Sequence, residues 1–395
     1  MKKITILGAG VTGLSAGLKL AQKGFDVTIL ENEQQVGGLA KTIKFNSTFV
    51  DIGPHSFFSE DKEIYYFVKN LFDDEQNELP KVKRSVKMFF MNYYVDYPLS
   101  AKSILFQMGP IIPIKSFLSF CRSYISSIFK KKVSANANIE DWAIENFGHF
   151  LYKNFFKPYT EQFWKINARD LSNKVIPASK KLDFAKTLKH LFLNKYLEIS
   201  KREPGSLNLV QRESLPTFYP KKGFGKISEK IAEKLVSSGG KIKLNEKVEN
   251  VIKDDKYFKI ITNKQEYESD VVISTLPIDN LVRMFSPVNE SKKNIEAAKK
   301  IGYLALKIVY LVISKKDFLK YQYCYFVGRP YNRISNLNLF SDELNSKNHT
   351  TISLEISCLK DSPTWRSNDK EILDICIKNL EKDNILNKEE IIDSK

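Results

Sequence analysis

Cysteine is scarce in this 395-residue chain: Cys121, Cys324, Cys358 and Cys376 stand far apart and form no CxxC pair. The pattern reads as a reduced protein. The opening residues, MKKITILGAG, lack the charged, apolar and cleavage regions of a signal peptide, so a cytoplasmic protein is the expectation. Histidine is equally sparse. His55, His149, His190 and His349 lie far apart, none at ligand spacing with Cys or Asp, and neither a metal site nor a Ser–His–Asp arrangement is expected. No stretch approaches the roughly 18 consecutive apolar residues of a membrane-crossing helix. With 17 Gly, 14 Pro and no fixed-period repeat, low-complexity chains, solenoids and propellers drop out.

What is present is a globular balance of 43% hydrophobic and 27% charged residues, in a chain long enough for two interlocked domains. Lys and Arg number 62 against 46 Asp and Glu, a net charge of +16. That excess favours a polyanion, an anionic membrane surface or phosphate-bearing substrates, or it is a compositional bias of the source. No nucleic-acid partner is expected, and nothing sets the oligomeric state. One basic stretch, residues 111–132, sets aliphatic and aromatic residues between Lys115, Arg122 and Lys130, Lys131 and Lys132. It suits either a helix lying at a membrane interface or a half-buried helix with solvated charges.

The sharpest signal is at the amino terminus. Lys3 to Leu7 is a β-branched run that ends at Gly8, Ala9, Gly10, Val11, Thr12 and Gly13, after which Leu14, Leu18 and Ala21 recur at helical spacing. A second strand, Asp26 to Leu30, ends in Glu31, about 20 residues after the turn. Strand, glycine turn, helix, strand and acid in this order predict a dinucleotide site. Gly8 permits the turn, Gly10 lets a diphosphate approach the backbone, and Gly13 lets the helix pack on the strand. The helix N-terminus faces the anion, and Glu31 accepts hydrogen bonds from the adenosine ribose. The fingerprint alone does not separate NAD from FAD.

Further residues do. Glu31 is followed by Val36-Gly37-Gly38-Leu39-Ala40-Lys41-Thr42 and by Phe49-Val50-Asp51-Ile52-Gly53-Pro54-His55-Ser56-Phe57-Phe58. With these the chain resembles the FAD superfamily that includes flavin amine oxidases, protoporphyrinogen oxidase and UDP-galactopyranose mutase. The resemblance implies FAD, with Gly37, Gly38 and Leu39 along the diphosphate and ribityl chain and Gly53, Pro54 and His55 beside the isoalloxazine ring. His55 is then either a catalytic group or a satisfied core histidine. The strand carrying Val248 would meet the adenine, and Thr275 belongs to the S-T-x-P strand end, Ser274 to Pro277. Gly223 and Gly225 lack a third glycine and an acidic partner, so no second dinucleotide domain is expected. Nor is covalent flavin attachment, since no cysteine stands in a linkage motif.

The implied fold is α/β: a Rossmann-type FAD-binding domain of the glutathione-reductase kind with an inserted α+β substrate domain. Residues 1–80 and 216–286 would form the cofactor domain, 81–215 a mostly helical substrate domain, and 287–395 its sheet and the carboxy-terminal part. Within it, Tyr159-Thr160-Glu161-Gln162-Phe163-Trp164 resembles the Y-T-x-K-x-W element of UDP-galactopyranose mutases and mutase-like flavoproteins of polysaccharide biosynthesis. Gln162 replaces the lysine, and Lys165 the glycine that often follows the tryptophan. Tyr159 and Trp164 are catalytic candidates on this likeness, and otherwise helix-core aromatics at i,i+5. Tyr97-Pro98-Leu99 fits the same pattern, and Lys180 and Lys181 stand where mutases carry an arginine for the substrate diphosphate. The resemblance also implies a last segment meeting the flavin pyrimidine. Residues 390–395 do not provide it, so a flavin pocket held less completely than in relatives is expected.

The leading functional expectation is an FAD-dependent oxidoreductase passing a hydride from a small-molecule substrate, such as a nucleotide- or lipid-linked sugar, to flavin N5. Alternatives are a mutase-like, redox-neutral isomerase using reduced FAD, and a flavin-less remnant. Peripheral membrane contact through residues 111–132 is compatible with each.

Overall fold

The structure, a computed structural model, describes residues 1–46, 48–99, 101–128, 137–175, 215–285, 291–316, 318–344 and 348–395. The helices that matter below are α1 (Val11–Ala21), α2 (Lys62–Asn70), α3 (Ala101–Gln107), α4 (Ile111–Ile128), α5 (Ile139–Leu151), α6 (Lys157–Trp164) and α7 (Gly225–Ser237).

The strand Lys3–Leu7 is buried from Ile4 onward because it lies inside a parallel sheet. Sheet order is Val271–Ser274, Lys3–Leu7, Asp26–Leu30, Lys241–Lys243, all parallel. Helices α1 and α7 lay Leu14, Leu18, Ile227, Ile231 and Leu235 on this sheet, and α2 adds Val68 to the same core. The strands are thus supplied by two stretches of chain more than 200 residues apart, as a Rossmann-type sheet interrupted by an insertion requires. The run 241–252, which reads as one strand, breaks into Lys241–Lys243 and Val248–Lys253, with Asn245 between them at φ 54°.

A second, mostly antiparallel sheet runs in the order Ile391–Ser394, Leu304–Ile313, Thr350–Leu359, Arg333–Asn336, Tyr323–Phe326, Val86–Phe90, Tyr93–Asp96. Its one parallel pair joins Val86–Phe90 to Tyr323–Phe326. In the sequence alone, residues 305–313, 322–327 and 350–357 read as strands and correspond to three of these seven; the other four carry no such signal. The Val86–Asp96 hairpin turns through Met91 and Asn92, both at positive φ, without the glycine that marks such turns.

Helices α4, α5 and α6 form a layer over one end of this sheet. Asn138 caps α5 by accepting from the Asp141 N–H at 2.8 Å. A Cβ at Gly148, φ 79°, would lie 2.7 Å from the Phe120 nitrogen, so α5 crosses α4 at backbone contact. No helix among the described residues is long and apolar enough to cross a membrane.

Candidate functional site

The glycine turn makes a cradle. Gly8 has φ 100°, and a Cβ there would strike Thr275 Oγ1 at 2.7 Å; that hydroxyl donates to the Leu7 carbonyl at 2.9 Å. Thr275 therefore locks the turn from beneath. A Cβ at Gly13 would sit 2.1 Å from the Gly8 carbonyl oxygen, whereas at Gly10 it would meet nothing within 4 Å. One glycine is required by packing and the other by open space. Helix α1 starts at Val11 with no capping side chain and no acid in its first turn, leaving N–H groups directed at that space. Gly37 closes the other side: its N–H donates to the Ala9 carbonyl at 2.8 Å, and a Cβ on Gly38 would lie 3.3 Å from Gly10 Cα. Thr12 and Leu39 are exposed at the rim.

Glu31 is oriented by the same turn. Its Oε2 accepts from the Ala9 N–H at 2.7 Å and its Oε1 from the Glu33 N–H at 2.9 Å. Each oxygen retains acceptor capacity for a ribose hydroxyl. The Glu246 N–H donates to the Glu31 carbonyl, which brings the buried Val248 to this end of the cradle.

Gly223 and Gly225, which read as a second glycine entry, serve packing instead. A Cβ at either would fall within 2.5 Å of Thr42 atoms. Thr42 Oγ1 donates to Asp51 at 2.6 Å, Tyr219 OH donates to it at 2.5 Å, and the Phe224 N–H at 3.0 Å. The Tyr310 hydroxyl donates to the Asp51 carbonyl at 2.5 Å. Asp51 thus pins the start of the 51–56 stretch. His55 stacks on Phe224 at 5.1 Å; burial lowers its imidazole below the usual value, and the positive charge of Arg333 adds to this against the Gly53 backbone.

Burial raises the Asp51 carboxyl to about 6, outweighing the three hydrogen bonds that favour its charged form. The unfolded chain gives up this proton near pH 3.9. The stabilisation linked to Asp51 is therefore complete below about pH 4 and lost as pH rises through 6. Urea midpoints between pH 4.5 and 7 are expected to fall more steeply in the wild type than in Asp51→Asn. Parallel profiles would contradict the assignment.

Beside this stretch, one face of the large sheet carries two adjacent polar rows. Tyr310, Ser353, Ser335 and Tyr323 are register partners in the first. It covers the 51–56 stretch through Tyr310 and through a hydrogen bond between Tyr323 and Ser56. Glu355, Arg333 and Tyr325 form the second row, and they floor a cavity of about 540 Å³. Its walls are aromatic: Tyr97, Trp142, Tyr159, Phe163 and Trp164. Tyr159 and Trp164 thus face one cavity from α6.

Arg333 grips Glu355 through Nε and Nη2 at 2.8 and 2.9 Å, while Nη1 keeps only a 3.4 Å contact with the Tyr325 hydroxyl. Burial opposes the charge on Arg333, but Glu355, Tyr325 and Tyr323 outweigh it and hold the guanidinium protonated. Burial, with Tyr97 and Tyr325 alongside, pushes the Tyr159 hydroxyl well above the usual value, so it retains its proton.

Arg333, Glu355 and Tyr325 escape the sequence reading, although Thr351, Ser353, Glu355 and Ser357 place polar side chains at every second position of a buried strand. Gln162, where the resembled motif has lysine, ties α6 to the sheet. It donates to the Phe326 and Tyr331 carbonyls at 2.9 and 3.0 Å and accepts from the Gly328 N–H at 2.7 Å. Lys165 caps α6 at φ 56°, the left-handed conformation that explains glycine at this position in the motif. Lys180 and Lys181 lie outside the described residues.

Fold and cradle together define a Rossmann-type dinucleotide-binding flavoprotein. The chain belongs to the flavin containing amine oxidoreductase family, whose pattern matches residues 11–393. A 1-hydroxycarotenoid 3,4-desaturase of Flavobacterium sp. (strain P99-3) is 22% identical over 288 residues, 70% of this chain and 57% of that protein. The dTDP-fucopyranose mutase of Escherichia coli is 22% identical over 180 residues, 45% of each chain. The chain thus spans about half the length of these curated relatives. The solved structure of a reduced UDP-galactopyranose mutase superposes with TM-score 0.83 at 21% identity, covering 100% of this chain and 82% of that one. FAD is the family's cofactor, and the residues fit it: an uncapped helix N-terminus, open space at Gly10 and an oriented carboxylate at Glu31.

Proposed function

We propose that this chain is a flavin-dependent enzyme of a nucleotide-linked sugar and that its reaction is a redox-neutral rearrangement of the sugar ring. The cavity wall carries the reading: tyrosine and tryptophan rings around one half-buried arginine held by Glu355. Flat aromatic faces suit a sugar or a base, and the Nη1 edge of Arg333 suits a phosphate oxygen. A hydrocarbon polyene would cover the polar Arg333–Glu355 pair without offering it a hydrogen bond.

In this reading Gly8, Ala9, Gly10, Val11, Thr12 and Gly13, with Gly37, Gly38 and Leu39, hold the FAD diphosphate. Glu31 holds the ribose, Val248 meets the adenine and Thr275 fixes the turn. Gly53, Pro54 and His55 border the ring system, whose N5 is the reactive atom supplied by the bound cofactor. Tyr159, firmly protonated, donates a hydrogen bond to a sugar oxygen, and Trp164 stacks on the sugar face. Residues 1–80 and 216–286 serve the cofactor, 81–215 and 287–395 the substrate, and Lys180 and Lys181 add positive charge for the diphosphate. The two mutases among the relatives point the same way. Hydride abstraction from a C–H bond is the second reading, favoured by the desaturase that matches 70% of the chain.

Reduced protein mixed anaerobically with UDP-galactopyranose or dTDP-fucopyranose is expected to form the furanose isomer and to end with its flavin still reduced. Oxidised protein that is bleached by substrate, and idle when reduced, would establish dehydrogenation instead.

A further inference from the structure

Helix α4 is apolar on the wrong side for a protein surrounded by water. Its inward positions include Ser116 and Ser123, both buried, and Ser119, which accepts from the Phe150 N–H at 2.9 Å. Ser116 donates back to the Ile112 carbonyl at 2.8 Å. Outward stand Ile111, Ile114, Phe117, Leu118 and Ile125, each 57% to 63% exposed, and α3 extends the patch with Phe106 at 78%. Small polar residues packed against a neighbouring helix, with large apolar ones outside, is how helices pack in lipid. Isolated exposed apolar residues are ordinary, but a contiguous face of this kind marks an interaction surface.

The charge pattern selects the occupant. Lys102, Lys115 and Arg122 are exposed on the same two helices, and the sequence contains no Asp or Glu between Asp96 and Glu140. A second copy of the chain would set like charge against like. An apolar face whose own two helices carry cations and no acid fits anionic headgroups over acyl chains. We propose that the outward face of α3 and α4 docks on the surface of an anionic lipid bilayer. The helix lies on the bilayer rather than across it. Because α5 packs against α4 and contributes Trp142 and Phe147 to the cavity wall, docking brings the cavity within one helical layer of the lipid.

The test is flotation of the full-length protein with phosphatidylcholine vesicles, alone or with about a third phosphatidylglycerol. Partition is expected to be at least about tenfold greater onto the anionic vesicles and to collapse in about 0.5 M salt. Phe117→Ser with Leu118→Ser, and separately Lys115→Glu with Arg122→Glu, should each lower it about tenfold while circular dichroism stays unchanged, because all four residues are exposed. Three results would overturn the proposal: no partition onto either vesicle, undiminished partition of the charge-reversed protein, or a stable dimer in sedimentation that the serine variant dissociates.

Discussion

Protein carrying Gly10→Val is expected to melt like the wild type and to bind FAD at least about a thousandfold more weakly, about 4 kcal/mol. The two halves of this expectation have separate causes. Gly10 has φ −70° and ψ 172°, an extended conformation that valine adopts readily, and a Cβ there meets no atom within 4 Å. The fold therefore tolerates the side chain. The space it fills is the approach to the uncapped start of α1, where a diphosphate would receive backbone N–H groups and the positive end of the helix dipole. Gly13→Ala is the contrast, since its Cβ would lie 2.1 Å from the Gly8 carbonyl oxygen and should destabilise the protein with or without cofactor. Thermal melts of the apo-proteins and calorimetric titration with FAD separate the two. Unchanged FAD affinity in folded Gly10→Val would place the diphosphate elsewhere.

Arg333→Ala should cost stability outright, about 3–5 kcal/mol, because Glu355 would be left buried without its partner. Replacing both, Arg333→Met with Glu355→Leu, should return most of that loss, since apolar side chains of similar volume spare the desolvation of two charges. Substrate binding should not return with it. Urea denaturation follows the first effect, and titration of the FAD-loaded protein with a nucleotide sugar follows the second. If the double variant binds the sugar as tightly as the wild type, the phosphate-binding role of Arg333 is wrong.

The cofactor end was legible because its chemistry is local. Gly8, Gly10, Gly13 and Glu31 lie within 24 residues, and their spacing is set by one turn and one helix. The floor of the cavity was hidden because its chemistry is a matter of register. Tyr325, Arg333 and Glu355 meet only when three antiparallel strands align, and nothing in a single strand says which residue of another it will face. Gln162 shows the middle case. The motif position was visible, but the role of the residue in this chain depends on carbonyls at Phe326 and Tyr331, beyond the reach of any local pattern.

The pairing of Lys3–Leu7 with Val271–Ser274 also sets the order in which a ribosome can finish this protein. Thr275 and the Leu7 carbonyl that it caps are 268 residues apart, so at about 5–20 residues per second roughly 15–50 s pass before the turn's supporting strand exists. During that interval Ile4, Ile6, Val27 and Ile29, all buried in the finished fold, belong to strands with an open sheet edge. The larger sheet is completed later in synthesis, since Val86–Phe90 has its parallel partner in Tyr323–Phe326. The nascent chain thus carries two unfinished sheets at once, a condition that favours chaperone capture and makes it aggregation-prone when synthesis outruns that capture.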